Sequence, residues 1–573
     1  MTVTEYIVEF LNRKGIKAVF ELSGGMIMQL IDSIHLDGNI KLVTVHHEQS
    51  SSFAADAVGR MSGKPGVAIA TSGPGATNLL TGIGSCYFDS SPALFITGQV
   101  NRSEQKNEKQ IRQLGFQETD IISMVKPVTK FAYQVTNAEE VPEYLEKAYN
   151  ISISGRPGPV VIDIPMDVFR SSIPGDAFEN QFVDETNRPI DNIVFDQLIE
   201  DIKKADRPLI LAGGGINSSR SAEQFREIIK KLNIPVVYSL LAVDVLSTSD
   251  ELRVGMIGTY GNRWSNISLY ESDFVLVLGS RLDIRQTGAD TLSFKKGKVI
   301  YHVDCEAEEI NNRVLDCHPI ITNLKSFITD FSDRIAGHSF KRREEWFKRI
   351  NSLKMQWPDV KELTNIKGIN PNVFMHSLSD RGLDFAAYVA DVGQHQMWAA
   401  QSLDIKPEQR FLTSGGMGAM GFALPAAIGV SIYSPGKPVC VIAGDAGFQL
   451  NIQELQTVVR NKLPIKIVVI NNNCHGMTRQ FQETYFEQRY QSTIWGYDTP
   501  DFAKVAKAYG IESHTISEES QIQEGVDKLV SSKGPFLLQV MIDNFVNVYP
   551  KLAFGLPMSE MEPFAKPNEM EAT

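Results

Sequence analysis

The sequence is poor in most features that would set it apart from an ordinary soluble globular protein. Its five cysteines (Cys86, Cys305, Cys317, Cys440 and Cys474) are scattered over 573 residues, odd in number, and form no CxxC pair. That argues against a disulfide framework or a cysteine zinc site and predicts a reducing compartment. There is no run of about 18 apolar residues, the minimum for a membrane-spanning helix. The opening stretch MTVTEYIVEFLNRKG lacks the apolar centre of a secretory signal and reads as an amphipathic helix with Ile7, Phe10 and Leu11 on one face. A cytoplasmic protein is therefore expected. Positive charge is also scarce, with 56 Lys and Arg against 68 Asp and Glu, net −12, and no basic arm. Phosphate backbones are held by clustered cations, so neither nucleic acid nor a membrane is an expected partner.

What the chain does have is a regular alternation of short apolar runs and helix-period segments, the pattern of βαβ units and parallel sheets. At roughly 150 residues per domain, its length predicts three or four domains. Strands are expected at AVFEL, KLVTV, GVAIAT, ALFITG and PVVIDI in residues 1–170; a polar linker follows at 171–190. A central unit, 191–340, holds RPLILAGGG, IPVVYSL, DFVLVLG and KVIYHVD. A third, 341–550, opens with a charged helix near 340–355 and holds FAAYVADVG, KPVCVIAGD, IKIVVINNN and PFLLQVMID. The tail, 551–573, is rich in Pro, Met and Glu, and either stays loose or folds over a site. The predicted fold class is α/β, three consecutive doubly wound parallel-sheet domains. Units one and three share a strand–helix rhythm without any repeat in their residues.

The strongest chemical signal is PVCVIAGDAGFQLNIQELQTVVRNKLPIKIVVINNNC at 438–474. One apolar strand ends at Gly444 and Asp445, a helix passes through Leu455 and Val458, and a second strand ends at Asn471 and Asn472. A right-handed crossover puts both strand ends on the same edge of one sheet. Asp445 and Asn472, 27 positions apart, therefore converge where open α/β sheets bind ligands. A carboxylate and an amide oxygen are hard ligands suited to magnesium. Gly444 and Gly447 let backbone approach a diphosphate. Taken singly, each of these residues is equally at home in a helix cap or a strand end.

In this spacing, the stretch resembles the GDG…NN motif of the thiamine-diphosphate-dependent enzymes, written here GDAGF…NNN. The resemblance implies Mg²⁺ ligands at Asp445, Asn472 and the carbonyl of Cys474, and cofactor contacts at Gly444, Ala446, Gly447, His475, Gly476 and Met477. LVTVHHEQSSSFAADAVGR at 42–60 is similar to the family's strand–HEQ–helix segment. That makes Glu48 the acid that holds a proton on the cofactor's aminopyrimidine; by itself it reads equally as a helix N-terminal acid. GVAIATSGPGATNLLTGI at 66–83 is close to the family's SGPGATN turn, and TSGGMGAMGFALPAAIG at 413–429 to its aminopyrimidine segment. There Met420 matches the residue that bends the cofactor, and the Gly418 carbonyl the acceptor for its amino group. DVGQHQMWAAQ at 391–401 matches the diphosphate-anchoring turn, with Gly393, Gln394 and His395 as candidates. Met420 and Trp398 would also serve as plain core residues.

Resemblance runs along nearly the whole chain and is nearest to the acetolactate (acetohydroxyacid) synthase large, catalytic subunits, on ITGQVNR, GFQETDI, GQHQMWAAQ and NIQELQTVV. It implies a carboligase that decarboxylates pyruvate or a similar 2-keto acid and adds the two-carbon unit to a second carbonyl. Gln117 would orient the reacting carbonyl, beside Phe116, while Gly24 clears the approach of substrate. Arg285 would take an acceptor carboxylate. A homodimer or tetramer with its active site at the subunit interface is implied, and a regulatory subunit is an open expectation. Three departures touch the acceptor pocket: Phe481 replaces a tryptophan, Leu22 and Ser23 replace tyrosine-proline, and GTYG at 258–261 replaces GMHG. The central unit resembles the flavin-binding stretches of FAD-containing synthases at Gly213, Gly214, Gly215, Gly279, Arg281 and Arg285. GGGINSS is not a GxGxxG fingerprint, so FAD and an ordinary glycine turn, with the two arginines as surface ion-pair residues, stand side by side.

Three other readings are weighed against this one. The same donor chemistry could use a different acceptor, such as a keto sugar nucleotide, and Phe481 favours looking for one. A simple decarboxylase of this family carries histidines for protonation, but His46 and His47 precede Glu48, a different place. A catalytically silent paralogue would have lost Glu48, Asp445 or Asn472, and all three are present.

Overall fold

The computed structural model describes residues 1–173, 184, 186–381 and 384–569. Most of the expected linker at 171–190 and the last four residues of the tail lie outside the described residues. The chain divides into two compact units, Met1–Asp184 with Ser414–Val441 and Phe448–Ile465, and Glu185–Thr413 with Ile442–Gly447 and Lys466–Thr573.

The first unit is built on six strands: β1 (Ala18–Leu22), β2 (Lys41–Thr44), β3 (Gly66–Ala70), β4 (Ala93–Gln99), β5 (Phe131–Gln134) and β6 (Pro159–Pro165). They lie in the order β2-β1-β3-β4-β6-β5, and every neighbouring pair is parallel. β3, β4 and β6 are buried along their whole length, as strands covered on both faces must be. The expected N-terminal helix spans Val3–Arg13. Thr2 and Glu5 form a reciprocal capping box at its start, and Ile7, Phe10 and Leu11 are buried in the core beside Val19, Val67 and Leu94. The Glu48–Ser62 helix packs against the Ala423–Tyr433 helix. Their approach is close enough that a Cβ on Gly429 would lie 2.2 Å from the Ala54 carbonyl oxygen.

The second unit contains β7 (Pro208–Ala212), β8 (Val236–Tyr238), β9 (Arg253–Met256), β10 (Phe274–Leu278), β11 (Val299–Asp304) and β12 (His318–Ile321). Their order, β12-β11-β10-β7-β8-β9, is that of dinucleotide-binding sheets, with the switch between β7 and β10. The third sheet is formed by β13 (Ala387–Ala390), β14 (Arg410–Leu412), β15 (Val439–Gly444), β16 (Ile465–Asn471), β17 (Glu512–Ile516) and β18 (Phe536–Met541). It runs β14-β13-β15-β16-β18-β17, the same permutation as the first sheet. The fold is thus α/β with three parallel six-stranded sheets. The shared rhythm of the sequences that form the first and third sheets reflects one strand order filled by two different sequences.

The described part of the tail forms a short hairpin-like pair. β19 (Lys551–Leu552) pairs antiparallel with β20 (Met561–Glu562), and Leu552 N–H donates to the Thr259 carbonyl at 2.8 Å. The charged helix spans Glu344–Gln356 and buries Trp346, Phe347, Ile350 and Leu353. Among the described residues no helix is long and apolar enough to cross a membrane.

Candidate active site

In the first unit the site residues gather at the carboxyl ends of β1, β2 and β3. After β2 the chain turns through His47, whose Nδ1 accepts the Gln49 N–H at 3.0 Å and so caps the helix that Glu48 begins. Glu48 is only 7% exposed. Its Oε2 accepts a hydrogen bond from the Asn78 amide at 2.9 Å, and a Cβ on Gly75 would stand 3.3 Å from its Oε1. The SGPGATN turn is therefore seated on the glutamate, and Asn78 is a partner that sequence reasoning did not single out.

The other face of that turn meets Gln117. Ser72 Oγ donates to the Gln117 carbonyl at 2.8 Å, and Gln117 has a left-handed backbone (φ 66°). For a non-glycine residue that conformation costs about 1–3 kcal/mol and must be held by its surroundings. Gln117 is half-buried, whereas Phe116 points outward at 80% exposure. Gly24 is required by space. A Cβ there would lie 2.5 Å from Thr71 Cβ, and Thr71 Oγ1 accepts the Met26 N–H at 3.3 Å.

The segment with Gly418 and Met420 belongs to the same unit. Its N–H groups at Gly415 and Gly416 donate to the Asp89 carboxylate at 2.9 and 2.6 Å, and Asp89 is ion-paired with Arg60. Asn451 holds the far side, donating to the Gly421 carbonyl at 2.8 Å and to Gln49 Oε1 at 3.1 Å. Gly418 takes a left-handed φ of 65° and is exposed, while Met420 is half-buried.

In the second unit Asp445 follows β15 and the 472–474 segment follows β16, as the crossover argument requires. Burial pushes the Asp445 carboxyl up to about 7, against the pull of the backbone N–H groups of Ala446, Cys474 and Asn473. Those N–H groups put the carboxylate beside the second half of the motif. The Cys474 thiol is pushed up to about 12, chiefly by burial, and so stays protonated, leaving its carbonyl as the candidate oxygen ligand. Asn472 donates its amide N–H to Gln394 Oε1 at 3.0 Å, and its Oδ1 accepts the Cys474 N–H at 3.3 Å.

His395 has a defined protonation state. Burial, only partly countered by the Asp391 backbone, pushes the imidazole down to about 3, so it is neutral at ordinary pH. Its Nε2 accepts the Gly444 N–H at 3.2 Å. A Cβ on Gly444 would lie 2.7 Å from the His395 ring, and one on Gly447 2.6 Å from Asp391 Oδ1. These glycines therefore have a reason within the protein, besides the approach of a diphosphate. Gly393 is likewise pressed against the His395 ring, 2.6 Å from a built Cβ. Trp398 is buried on the same helix. His475 is half-buried with its ring 4.4 Å from Tyr497, and its imidazole is pushed down by burial. Met477 is half-buried, and Phe481, 39% exposed, lies on the Gly476–Tyr485 helix with its ring tilted against those of Tyr485 and Phe486.

At the switch point of the second sheet the glycines meet each other. A Cβ on Gly213 would lie 2.0 Å from the Gly279 carbonyl oxygen, and Gly215 N–H donates to that oxygen at 3.0 Å. Gly214 rests on Leu241, 3.0 Å from its built Cβ. Arg281 stands 3.8 Å from Asp283, and Arg285 is exposed, with its backbone carbonyl accepting the Thr259 N–H at 2.6 Å.

Residues 1–124, 195–331 and 391–540 match, in order, the N-terminal TPP binding, central and C-terminal TPP binding domains of the family described as thiamine pyrophosphate enzymes. The chain is also similar to curated proteins along nearly its whole length. It is 35% identical to the acetolactate synthase large subunit of Lactococcus lactis subsp. lactis, covering 97% of this chain and 95% of the relative. It is 33% identical to the acetolactate synthase isozyme 2 large subunit of Escherichia coli K12, covering 98% and 99%. A probable acetolactate synthase large subunit of Methanocaldococcus jannaschii is 34% identical, covering 95% and 92%.

Proposed function

Because the chain belongs to the thiamine-diphosphate-dependent enzymes, in the family of the acetolactate synthase large subunits, we propose how its residues divide the work of that chemistry. The protein is a carboligase that decarboxylates pyruvate and adds the two-carbon unit to a second carbonyl. The observation that carries this reading is the pairing of near-full-length similarity with an intact site: Glu48 buried against Asn78, and Asp445 buried against the 472–474 segment.

Thiamine diphosphate, when bound, supplies the acidic carbon that adds to the keto acid and takes up the electron pair released with CO₂. Glu48 holds a proton at its carboxylate toward the cofactor's pyrimidine nitrogen, and Asn78 fixes the orientation of that carboxylate. The Gly418 carbonyl and the Met420 side chain receive the pyrimidine ring. Gly24 and Gln117 face the donor carbonyl, with Gln117 orienting its oxygen; Phe116 and Phe481 supply apolar lining that keeps water from the new bond. Arg285 is the residue suited to an acceptor carboxylate.

Magnesium fits the residues at Asp445. A carboxylate that burial lifts to about 7 would be stabilised in its charged form by a cation, and Asn472 Oδ1 and the Cys474 carbonyl are oxygen donors beside it. These three would hold the ion, while Gln394, His395, Ala446, Gly447, His475, Gly476 and Met477 surround the diphosphate. FAD is proposed for the central sheet, supported by the dinucleotide strand order and by the close glycines at 213–215 and 279. We place the three domains at 1–170, 191–340 and 341–550. The chain assembles as a homodimer or tetramer with catalysis at the subunit interface, since Glu48 and Asp445 belong to different domains; a regulatory subunit would join the large one.

The test is Glu48→Gln. Loss of acetolactate formation with cofactor binding retained supports the assignment; full carboligase activity in that variant overturns it.

A further inference from the structure

The metal-site reading leaves one question of geometry. An asparagine amide ligates through oxygen, so something must keep Asn472 from presenting its NH₂ instead. The answer lies two amides away, on the helix that carries Phe481. Gln480, 2% exposed, grips the backbone of Val548 with both ends of its side chain. Its Nε2 donates to the Val548 carbonyl at 3.0 Å, and its Oε1 accepts the Val548 N–H at 3.0 Å. The polarity of a peptide backbone is fixed, so Gln480 can sit only one way round; reversing it would set oxygen against oxygen and N–H against N–H.

That orientation is passed on. Gln480 Oε1 also accepts from Gln394 Nε2 at 3.3 Å, and the same nitrogen donates to the Val546 carbonyl at 3.1 Å. Turning Gln394 round would place its oxygen against two acceptors. Gln394 must therefore offer Oε1 to Asn472, whose Nδ2 donates to it at 3.0 Å. Asn472 thus presents Oδ1 to a ligand, the same oxygen that accepts the Cys474 N–H at 3.3 Å. Gly476 makes the contact possible, because a Cβ there would overlap Gln394 Oε1 at 2.0 Å. The 546–548 segment that sets the polarity is held from its other side by Arg479, fully buried, which donates to the Val546 carbonyl at 3.1 Å and to the side-chain oxygen of Asn547.

We propose that Gln480 is a positioning residue for the metal site: through Gln394 it sets the Asn472 amide with its oxygen toward the cation. The proposal rests on the reading of Asn472 as a magnesium ligand. It assigns Gln480 a role separate from that of its neighbour Phe481, and it makes the 546–548 segment part of the cofactor site without a direct contact to the cofactor. Partners of this kind, which orient a metal's ligands, typically change metal affinity by about 10- to 100-fold.

The experiment is a titration of the apo protein with Mg²⁺ at fixed thiamine diphosphate, followed by calorimetry. The variants are Gln480→Met, which keeps length and removes both polar ends, and Gln480→Glu. For Gln480→Met the half-saturating Mg²⁺ rises about 10- to 100-fold, while kcat at saturating Mg²⁺ stays within about threefold of the wild type. A folded Gln480→Met protein with unchanged Mg²⁺ affinity overturns the proposal. Gln480→Glu provides an independent readout should the first variant fail to fold. Its carboxylate sets oxygen against the Val548 carbonyl, so the half-saturating Mg²⁺ rises by a similar factor. A folded Gln480→Glu protein that binds Mg²⁺ as the wild type does overturns the proposal. Asp445→Asn separates the two levels: tight Mg²⁺ binding in that variant sinks the site reading itself, whereas loss there with no effect at Gln480 sinks only the positioning role.

Discussion

Asn78 donates its side-chain N–H to Glu48 Oε2 at 2.9 Å, joining two motifs that lie thirty residues apart in the chain. The bond occupies one carboxylate oxygen and leaves Oε1 toward Gly75. Replacing Glu48 by Gln keeps the shape and removes the acid. Acetolactate formation should fall by about 10²–10⁴-fold, the usual worth of a positioned acid–base group, with thiamine diphosphate binding retained by calorimetry. Asn78→Ala should cost less, about 10- to 100-fold in kcat, as expected for one hydrogen bond to a charged group.

The exposed edge of Phe481 is the place to look for acceptor choice. Phe481→Trp restores the larger ring of the family and should change the ratio of products formed from competing acceptors. CO₂ release from pyruvate in a single turnover should stay within about twofold, because decarboxylation precedes the acceptor's arrival. A product ratio identical to that of the wild type would remove Phe481 from the acceptor pocket.

The glycine contact between β7 and β10 makes a prediction about flavin. The purified protein should show flavin absorption, and Gly213→Ala should abolish it, since the new methyl would overlap the Gly279 carbonyl oxygen. Overpacking of this kind also costs about 1–3 kcal/mol, so thermal unfolding of the variant should be measured alongside the spectrum.

His376 offers a pH test far from the chemistry. Burial pushes its imidazole down, but Asp359 at 2.8 Å and Asp404 at 3.3 Å outweigh that and raise it from 6.5 to about 10. A group raised on folding stabilises the fold fully below its unfolded value and loses that contribution as pH climbs through the folded value. His376→Ala should therefore lower Tm most near pH 6, and the difference from wild type should shrink toward pH 10. A difference that grows with pH would contradict the ion pair.

Much of this was legible in the sequence, and the gaps share a cause. Among the described residues, thirteen of the eighteen strands in the three six-stranded sheets announce themselves as apolar runs. The five of those that do not are β5, β9, β12, β14 and β17, and each is an edge strand. An edge strand is half covered, so its residues need not be apolar: β5 is half-buried throughout, and β12 begins with two exposed residues. The strand–helix rhythm of the first and third units was visible, but their common strand order is a property of topology that no residue comparison carries. At the site, Glu48, Asp445 and Asn472 stood out because their spacing from strand ends is readable. Asn78 and Gln480 did not, because a buried amide is recognised only by what it touches. Arg285 and Phe116 are singled out by resemblance alone, and both are exposed.

The reaction itself is tested by one assay. Purified protein is given pyruvate, Mg²⁺ and thiamine diphosphate, and CO₂ release is followed together with acetolactate. Acetolactate is the expected product, with one CO₂ released for each molecule formed. CO₂ without acetolactate would contradict the acceptor, and no consumption of pyruvate would contradict the donor as well.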